Sequence, residues 1–363
     1  MNLRPLMFGA LAVLIACGTS NVANDADVTV SGVLRLPDGG PAAAVPVVLV
    51  EEPSGIDALF ELTVTVTSIG MLCLTQQVSF CKGARRATTD EEGRYSFTMK
   101  GKDAKSILGN PAHFALSARL DSGPRIQTRF PIEQAEVKVP EARFWQPDGL
   151  RVQAGPQRVE YSWPPLAGAK HRLEVTEADE LVWAQESAPN GSFDARAIAD
   201  AQGEFRAIAR VERDGFTTDH HSQPVAVSGQ AGAPPSRGSG CTLAGVTPQP
   251  CGFTDGRYAG ASLPQQVCPS ASASASPGTC GSHTWITIDL GAARQVTTVF
   301  LHGLSTSKDF EVSVSADGAQ WNRYARHKRA GYVALTGNSP VSARYVRVQS
   351  ESLHALQEAS VWG

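Results

Sequence analysis

Seven cysteines and eight histidines are the residues of this 363-residue chain best suited to chemistry, and their spacing limits what that chemistry is. The cysteines are Cys17, Cys73, Cys81, Cys241, Cys251, Cys268 and Cys280. A tetrahedral zinc site draws on closely spaced thiolates and imidazoles, yet no Cys-x-x-Cys spacing occurs and the histidines are scattered. His220 and His221 are adjacent, but neighbours on a strand point to opposite faces, so they make a poor chelating pair. Nucleophile signatures are missing too: the sequence holds no Gly-x-Ser-x-Gly elbow, no His-Glu-x-x-His and no phosphate-binding glycine loop. What is left is six cysteines in local couples, Cys73/Cys81, Cys241/Cys251 and Cys268/Cys280, and Cys17 alone.

Cys17 closes an apolar stretch running from Leu6 to Ala16, with the single cation Arg4 before it. The stretch is too short to span a bilayer comfortably and reads as the hydrophobic region of a signal peptide. Leu14-Ile15-Ala16-Cys17 resembles the bacterial lipobox, whose cysteine is lipidated and becomes the new N-terminus. The resemblance implies a signal peptide over 1–17, a polar tether over 18–27, and a lipid anchor holding an exported protein in the envelope of a bacterium, at the cell surface. Six cysteines then remain, an even number that exported proteins use for disulfides. Fifteen connectivities are open to six cysteines. Nearness along the chain favours the three local couples, each loop closure contributing about 2–3 kcal/mol.

The elements that must position these groups are strands. Runs of Val, Thr, Ile and Tyr alternate with Gly, Pro, Asp and Asn clusters, and 34 glycines and 23 prolines punctuate turns. A formal net charge of −3 argues against a nucleic-acid partner. Composition makes 229–240 a linker and SASASASPG (270–278) a flexible loop. We therefore expect an all-β protein with three β-sandwich domains in tandem, at 28–142, 143–228 and 241–363.

In the first domain Val28, Val30, Val33 and Leu34, then Val45, Val47 and Leu49, are expected to cover one sandwich face, with a turn at Asp38-Gly39-Gly40. The pattern V-x-G-x-L, P-D-G, V-P-V-x-L and T-T-D-x-x-G-x-Y-x-F resembles carboxypeptidase regulatory-like, transthyretin-like sandwiches, interrupted by an insertion over 53–84. In the second, Val159, Tyr161 and Trp163 alternate inward, as do Phe205, Ala207, Ala209 and Val211. Strand, turn and strand with an inward Trp163 resembles fibronectin type III domains.

The third domain carries four ordered motifs: FTDG (253–256), WITIDLG (285–291), FEVSVSADGAQW (310–321) and ARYVRVQSESLHALQEASVWG (343–363). Within WITIDLG, Trp285, Thr287 and Asp289 face one way and Ile286, Ile288 and Leu290 the other. Together the motifs resemble the discoidin, or coagulation factor type C, domain shared with bacterial carbohydrate-binding modules. That resemblance implies a jelly-roll-like sandwich whose end loops bind ligand, sugars in most bacterial members. It also implies a structural calcium held by Asp255 and Glu358, although the stretch after FTDG departs from the family pattern and leaves further ligands unassigned. Stacking and hydrogen bonding to a sugar suit Tyr258, His283, Arg326, His327, Arg329 and Tyr332, all expected on loops, with His354 a weaker candidate. Trp285, Trp321 and Arg344 sit in the motif strands and read as core or structural residues.

The expected function is that of a non-catalytic, surface-anchored carbohydrate-binding lipoprotein, with the membrane as a partner through its lipid and protein partners open. A structural or assembly subunit of an envelope complex is the alternative, with a glycan-processing hydrolase further behind.

Overall fold

A computed structural model describes residues 21–52, 84–105, 111–121, 123–178, 180–199, 203–226, 232–243, 251–258, 285–304, 309–328, 331–350, 353 and 356–363. Cys17, Cys73, Cys81, Cys268 and Cys280, with His283, Arg329 and His354, lie outside them, as do residues 53–83 of the 53–84 insertion and the serine-rich segment. The chain divides into two compact units, one of residues 1–118 and 128–142 and the other of 119–127 and 143–363. Strands dominate both, and no described helix is long and apolar enough to cross a membrane.

In the first unit, strand Asp27–Arg35 pairs antiparallel with Arg94–Lys100 and parallel with Glu136–Lys138, while Pro46–Glu51 lies between Arg85–Thr88 and His113–Arg119. Val28, Val30, Leu34, Val45, Val47 and Leu49 are buried, as the two-residue period requires. Val33 corrects the expectation: it falls on the opposite parity and is only half-buried. Asp90 sets the turn into Arg94–Lys100 by accepting from the backbone N–H of Glu92 and Arg94, at 3.0 and 2.8 Å. Gly93 closes that turn at φ 78°, where a side chain would be strained.

The second unit holds two sandwiches. The first of them pairs Arg158–Ser162 with Arg151–Ala154 and Asn190–Asp194, and faces a sheet of Glu180–Glu186, Lys170–Glu177, Glu204–Arg213 and Phe216–His221. Val159, Tyr161, Trp163, Phe205, Ala207, Ala209 and Val211 all enter its core. His221 accepts from Arg125 Nη2 at 2.5 Å beside the buried Asp219, so it is tied into an ion network rather than paired with His220.

The terminal sandwich is built on two long strands, Trp285–His302 and Tyr332–Ser350. Their first and last parts, respectively, form a front layer with Gly240–Leu243, Phe310–Ser315 and Asn322–His327. Their other parts form a back layer with Glu358–Trp362. Ile286, Ile288, Leu290, Val312, Val314, Val346 and Val348 from the front, and Val299, Leu301, Val333, Leu335, Ala359 and Val361 from the back, share one core. Inward parity is even at 286–290 and odd at 299–301, and the register shifts between Asp289 and Arg294 and between Val296 and Thr298 provide the change of phase.

The segment expected to link these sandwiches is not free chain where it is described. Ser236 is fully buried and its Oγ accepts from the backbone N–H of Val361 at 2.8 Å, so the two sandwiches share a compact unit.

Candidate functional site

Each layer of the terminal sandwich has an outward face, and the two faces have different chemistry. On the back, the outward residues Thr298, Phe300, His302, Tyr332, Glu358, Ser360 and Trp362 follow from strict alternation with the core positions. Trp183 of the preceding sandwich packs edge-on against Phe300, His302 and Tyr332, with ring centroids 6.1, 5.6 and 6.1 Å away. Arg196 lies over Phe300 and Trp362 at 5.8 and 5.7 Å and donates to Thr298 Oγ1. His302 is fully buried; its Nδ1–H donates to the Val182 carbonyl at 2.9 Å, leaving Nε2 without a hydrogen bond. Burial therefore pushes the imidazole down to about 4 from 6.5, because a cation there would be desolvated.

This junction claims two residues expected on open loops. Tyr258 is 4% exposed, its ring 4.8 Å from that of His302 and its hydroxyl donating to the Ala197 carbonyl. Tyr332 is half-buried on its strand, and its hydroxyl donates toward the Leu181 carbonyl at 3.4 Å. Burial pushes both phenols upward in pKa. Neither offers an open ring face for a sugar. Their burial comes from the neighbouring sandwich, which a local reading of the loop does not reveal.

The front face is polar, cationic and aromatic. Antiparallel register sets Thr287, Arg347, Ser313 and Arg323 in one row across four strands, and Trp285, Gln349, Glu311 and Arg326 in the next. Arg347 stacks on Trp321 at 3.7 Å and stands 5.6 Å from Trp285, so the guanidinium lies between two indoles. Trp321 is aimed by the turn before it. Asp317 Oδ1 accepts from the backbone N–H of Ala319 and Gln320, both at 2.8 Å; Gly318 takes φ 77°; and the indole N–H donates to the Gly318 carbonyl. Those backbone donors hold the Asp317 carboxyl below the usual carboxylate range. Arg344 grips Asp289 through two bonds of 2.9 Å and stacks on Tyr345 at 4.9 Å. Trp285 and Trp321 are thus half-buried residues of the outward face and not core, a correction the outward parity of Trp285, Thr287 and Asp289 already contained.

Arg326 and His327 stand exposed on the edge strand Asn322–His327 rather than on a loop. His327 stacks on Phe310 at 5.8 Å, and Arg326 lies 3.9 Å from Asp309. The four described groups of the six expected to gather round a ligand are therefore not brought together, since two are in the junction and two on this edge; His283 and Arg329 are outside the described residues.

Asp255 and Glu358 do come near one another, close enough for Asp255 to raise the pKa of Glu358. Burial is the larger cause, and the Glu358 carboxyl is pushed up to about 9 from 4.5. Its Oε2 is buried without a hydrogen-bond partner. An orphaned buried carboxylate oxygen beside a second, exposed carboxylate is a donor set that fits a hard divalent cation. No cluster of three or more His, Cys, Asp or Glu occurs among the described residues, so any further ligands there would be carbonyls or water. Cys241 and Cys251 form a disulfide that ties the first front-layer strand to the segment carrying Phe253, Asp255 and Tyr258.

Against known proteins, residues 267–362 match the F5/8 type C domain model. No curated protein matches the chain. Among solved structures, a family 32 carbohydrate-binding module of Clostridium perfringens, CpGH89CBM32-5 in complex with GalNAc-β-1,3-galactose, is 18% identical; the alignment covers 22% of this chain and 66% of that one, with TM-score 0.20. A chitosan-binding module from a Paenibacillus sp. IK-5 chitosanase/glucanase is 18% identical over 36% of this chain and 98% of its own, with TM-score 0.24. A Ruminococcus gnavus GH29 fucosidase is 16% identical over 23% of this chain and 18% of its own, with TM-score 0.20. Each likeness covers between 22% and 36% of this chain. Residues 267–362 of the terminal sandwich thus correspond to an F5/8 type C, or discoidin, domain.

Proposed function

We propose that this chain is an exported, lipid-anchored bacterial surface protein that binds carbohydrate through its discoidin domain and catalyses no reaction. The observation that carries the reading is the F5/8 type C match over 267–362. The lipobox-like Leu14-Ile15-Ala16-Cys17 supplies the anchor, and the Cys241–Cys251 disulfide suits an oxidising compartment. Asp255 and Glu358 hold a structural calcium, which supplies the positive charge that the orphaned carboxylate lacks. His327, His283 and Arg329 remain the candidate contacts to ligand.

The test is a glycan panel probed with the full chain, with and without a chelator, together with membrane fractionation of a Cys17→Ser variant. Retention on at least one glycan and release of the variant from membranes are expected. Failure to retain any glycan, with calcium present and the fold intact, would overturn the binding reading. A Cys17→Ser protein that still sediments with membranes would overturn the anchor.

A further inference from the structure

The front face of the terminal sandwich has no partner among the described residues, yet it is not an ordinary solvated sheet. Solvent-facing sheet positions usually carry short polar or evenly mixed charges, whereas this face spends two indoles and a tyrosine ring on it. Trp285 and Trp321 lie either side of Arg347, and Tyr345 lies under Arg344. Both guanidinium groups thereby lie close to a ring. Arg344 is neutralised by its double hydrogen bond to Asp289. Arg347 is not: its Nε–H donates to Thr287 Oγ1 at 3.4 Å, and it makes no ion pair among the described residues.

Two more cations share the face. Arg323 has no ion-pair partner among the described residues, and the exposed Arg326 has only the loose, 3.9 Å approach to Asp309. Arg323 stands in the row of Arg347 with Ser313 between them, so the two lie two strands, or roughly 10 Å, apart. The carboxylate on the face outside the Asp289–Arg344 pair is Glu311, which accepts from Ser313 Oγ at 3.4 Å. With Asp309 counted beside Arg326, the balance is three cations against two anions, with aromatic rings among them. An anionic lipid surface would favour projecting apolar tips, whereas both indoles here lie near the Arg347 guanidinium. Planar guanidinium groups recognise carboxylates through paired N–H donors, and exposed ring faces take the C–H face of a pyranose.

We propose that this front face is a second binding surface, separate from the loops at the sandwich end, and that its ligand is an acidic polysaccharide whose uronate carboxylates meet Arg347, Arg323 and Arg326 while its rings lie on Trp285 and Trp321. The inference rests on the carbohydrate-binding reading above and adds to it the ligand class and the surface.

Affinity electrophoresis of the full chain through gels containing polygalacturonate, neutral galactan or no polymer tests it. Retardation by polygalacturonate is expected, weakening with salt. The double variant Arg323→Glu, Arg326→Glu, on an exposed edge strand where folding is spared, should lose that retardation at least tenfold. Trp321→Ala and Arg347→Lys should each weaken it severalfold, with melting temperatures recorded alongside so that a folding failure is recognised. Retardation by neutral galactan alone overturns the inference and leaves the carbohydrate reading intact. Retardation by neither polymer in the folded parent, or an unchanged shift in the folded double variant, also overturns it. Capture on phosphatidylglycerol vesicles with no shift in polygalacturonate means that the face is a lipid surface and the inference is wrong.

Discussion

The two outward faces of the terminal sandwich come from the same two strands and meet opposite fates. On the back face, Phe300, His302, Tyr332 and Trp362 are covered by Trp183 and Arg196 of the preceding sandwich. On the front, Trp285, Trp321 and Arg347 pack against one another and have no neighbouring sandwich over them among the described residues. Aromatic content does not separate the two, since both are rich in rings. The difference lies in what fills the space between rings. On the back it is an uncharged imidazole, carbonyl-bonded hydroxyls and the Arg196 guanidinium, which is paired with Asp194; on the front it is Arg347, which makes no ion pair among the described residues. A face that must exclude water cannot carry an unpaired cation cheaply, and a face that stays wet can.

The contrast is broken most directly from the back. Trp183→Ala removes the ring that touches three partners across the junction, and should lower the unfolding free energy of the unit by about 3–5 kcal/mol in a denaturant titration. A loss under 1 kcal/mol would mean that the sandwiches do not depend on each other. Next in size is acid. His302 has its folded pKa depressed to about 4 from 6.5, so the unfolded chain binds the proton more readily. The neutral imidazole's contribution is present above pH 6.5 and is lost as pH falls towards 4. A stability difference of roughly 3 kcal/mol between those limits should appear in the parent and disappear in His302→Leu.

Calcium should give the third effect. Adding it at about 100 times its dissociation constant should raise stability by about 2.7 kcal/mol, and Glu358→Gln should abolish that response. Without calcium, Glu358 runs opposite to His302. Its folded pKa is raised, so the contribution of the protonated carboxyl is full below 4.5 and lost as pH rises through about 9. In chelator at pH 9 the Glu358→Gln protein should therefore melt above the parent. The smallest effect belongs to the front. Trp285→Ala forfeits one stacking contact on an open face and should cost about 0.5–1 kcal/mol by thermal melting. A cost above 3 kcal/mol would move Trp285 back into the core, where its place in a motif strand first puts it.

Alternation made most of the sandwich interiors legible. Ile286, Ile288 and Leu290, Val159 through Trp163, and Phe205 through Val211 could be assigned because the two-residue period is local. Which outward face acquires a neighbour is not local. Nothing near Tyr258 or Tyr332 in sequence signals that Ala197 and Leu181, some sixty and a hundred and fifty positions away, receive their hydroxyls. The glycine- and proline-rich stretch before Cys241 reads as a spacer because composition does not show Ser236 bonding to the backbone of Val361. The pairing of Asp255 with Glu358 came from motif order and not from periodicity, and it brought together two carboxylates far apart in the chain. The front-face stack was within reach. Trp285 sits at outward parity in WITIDLG, and only its place in a motif strand argues for putting it inside.

The change of phase in Trp285–His302 also bears on how such a domain can vary over generations. Within a uniformly alternating strand, one inserted or deleted residue inverts every side chain downstream of it, and the lineage carrying it is lost with the fold. Here the register already shifts between Asp289 and Arg294 and again between Val296 and Thr298. Length changes that fall in that interval can be absorbed by irregular backbone before they reach either patterned half. The ancestry of the face buried against its neighbour and that of the face turned to the outside world can therefore diverge at separate rates, although one uninterrupted strand encodes both.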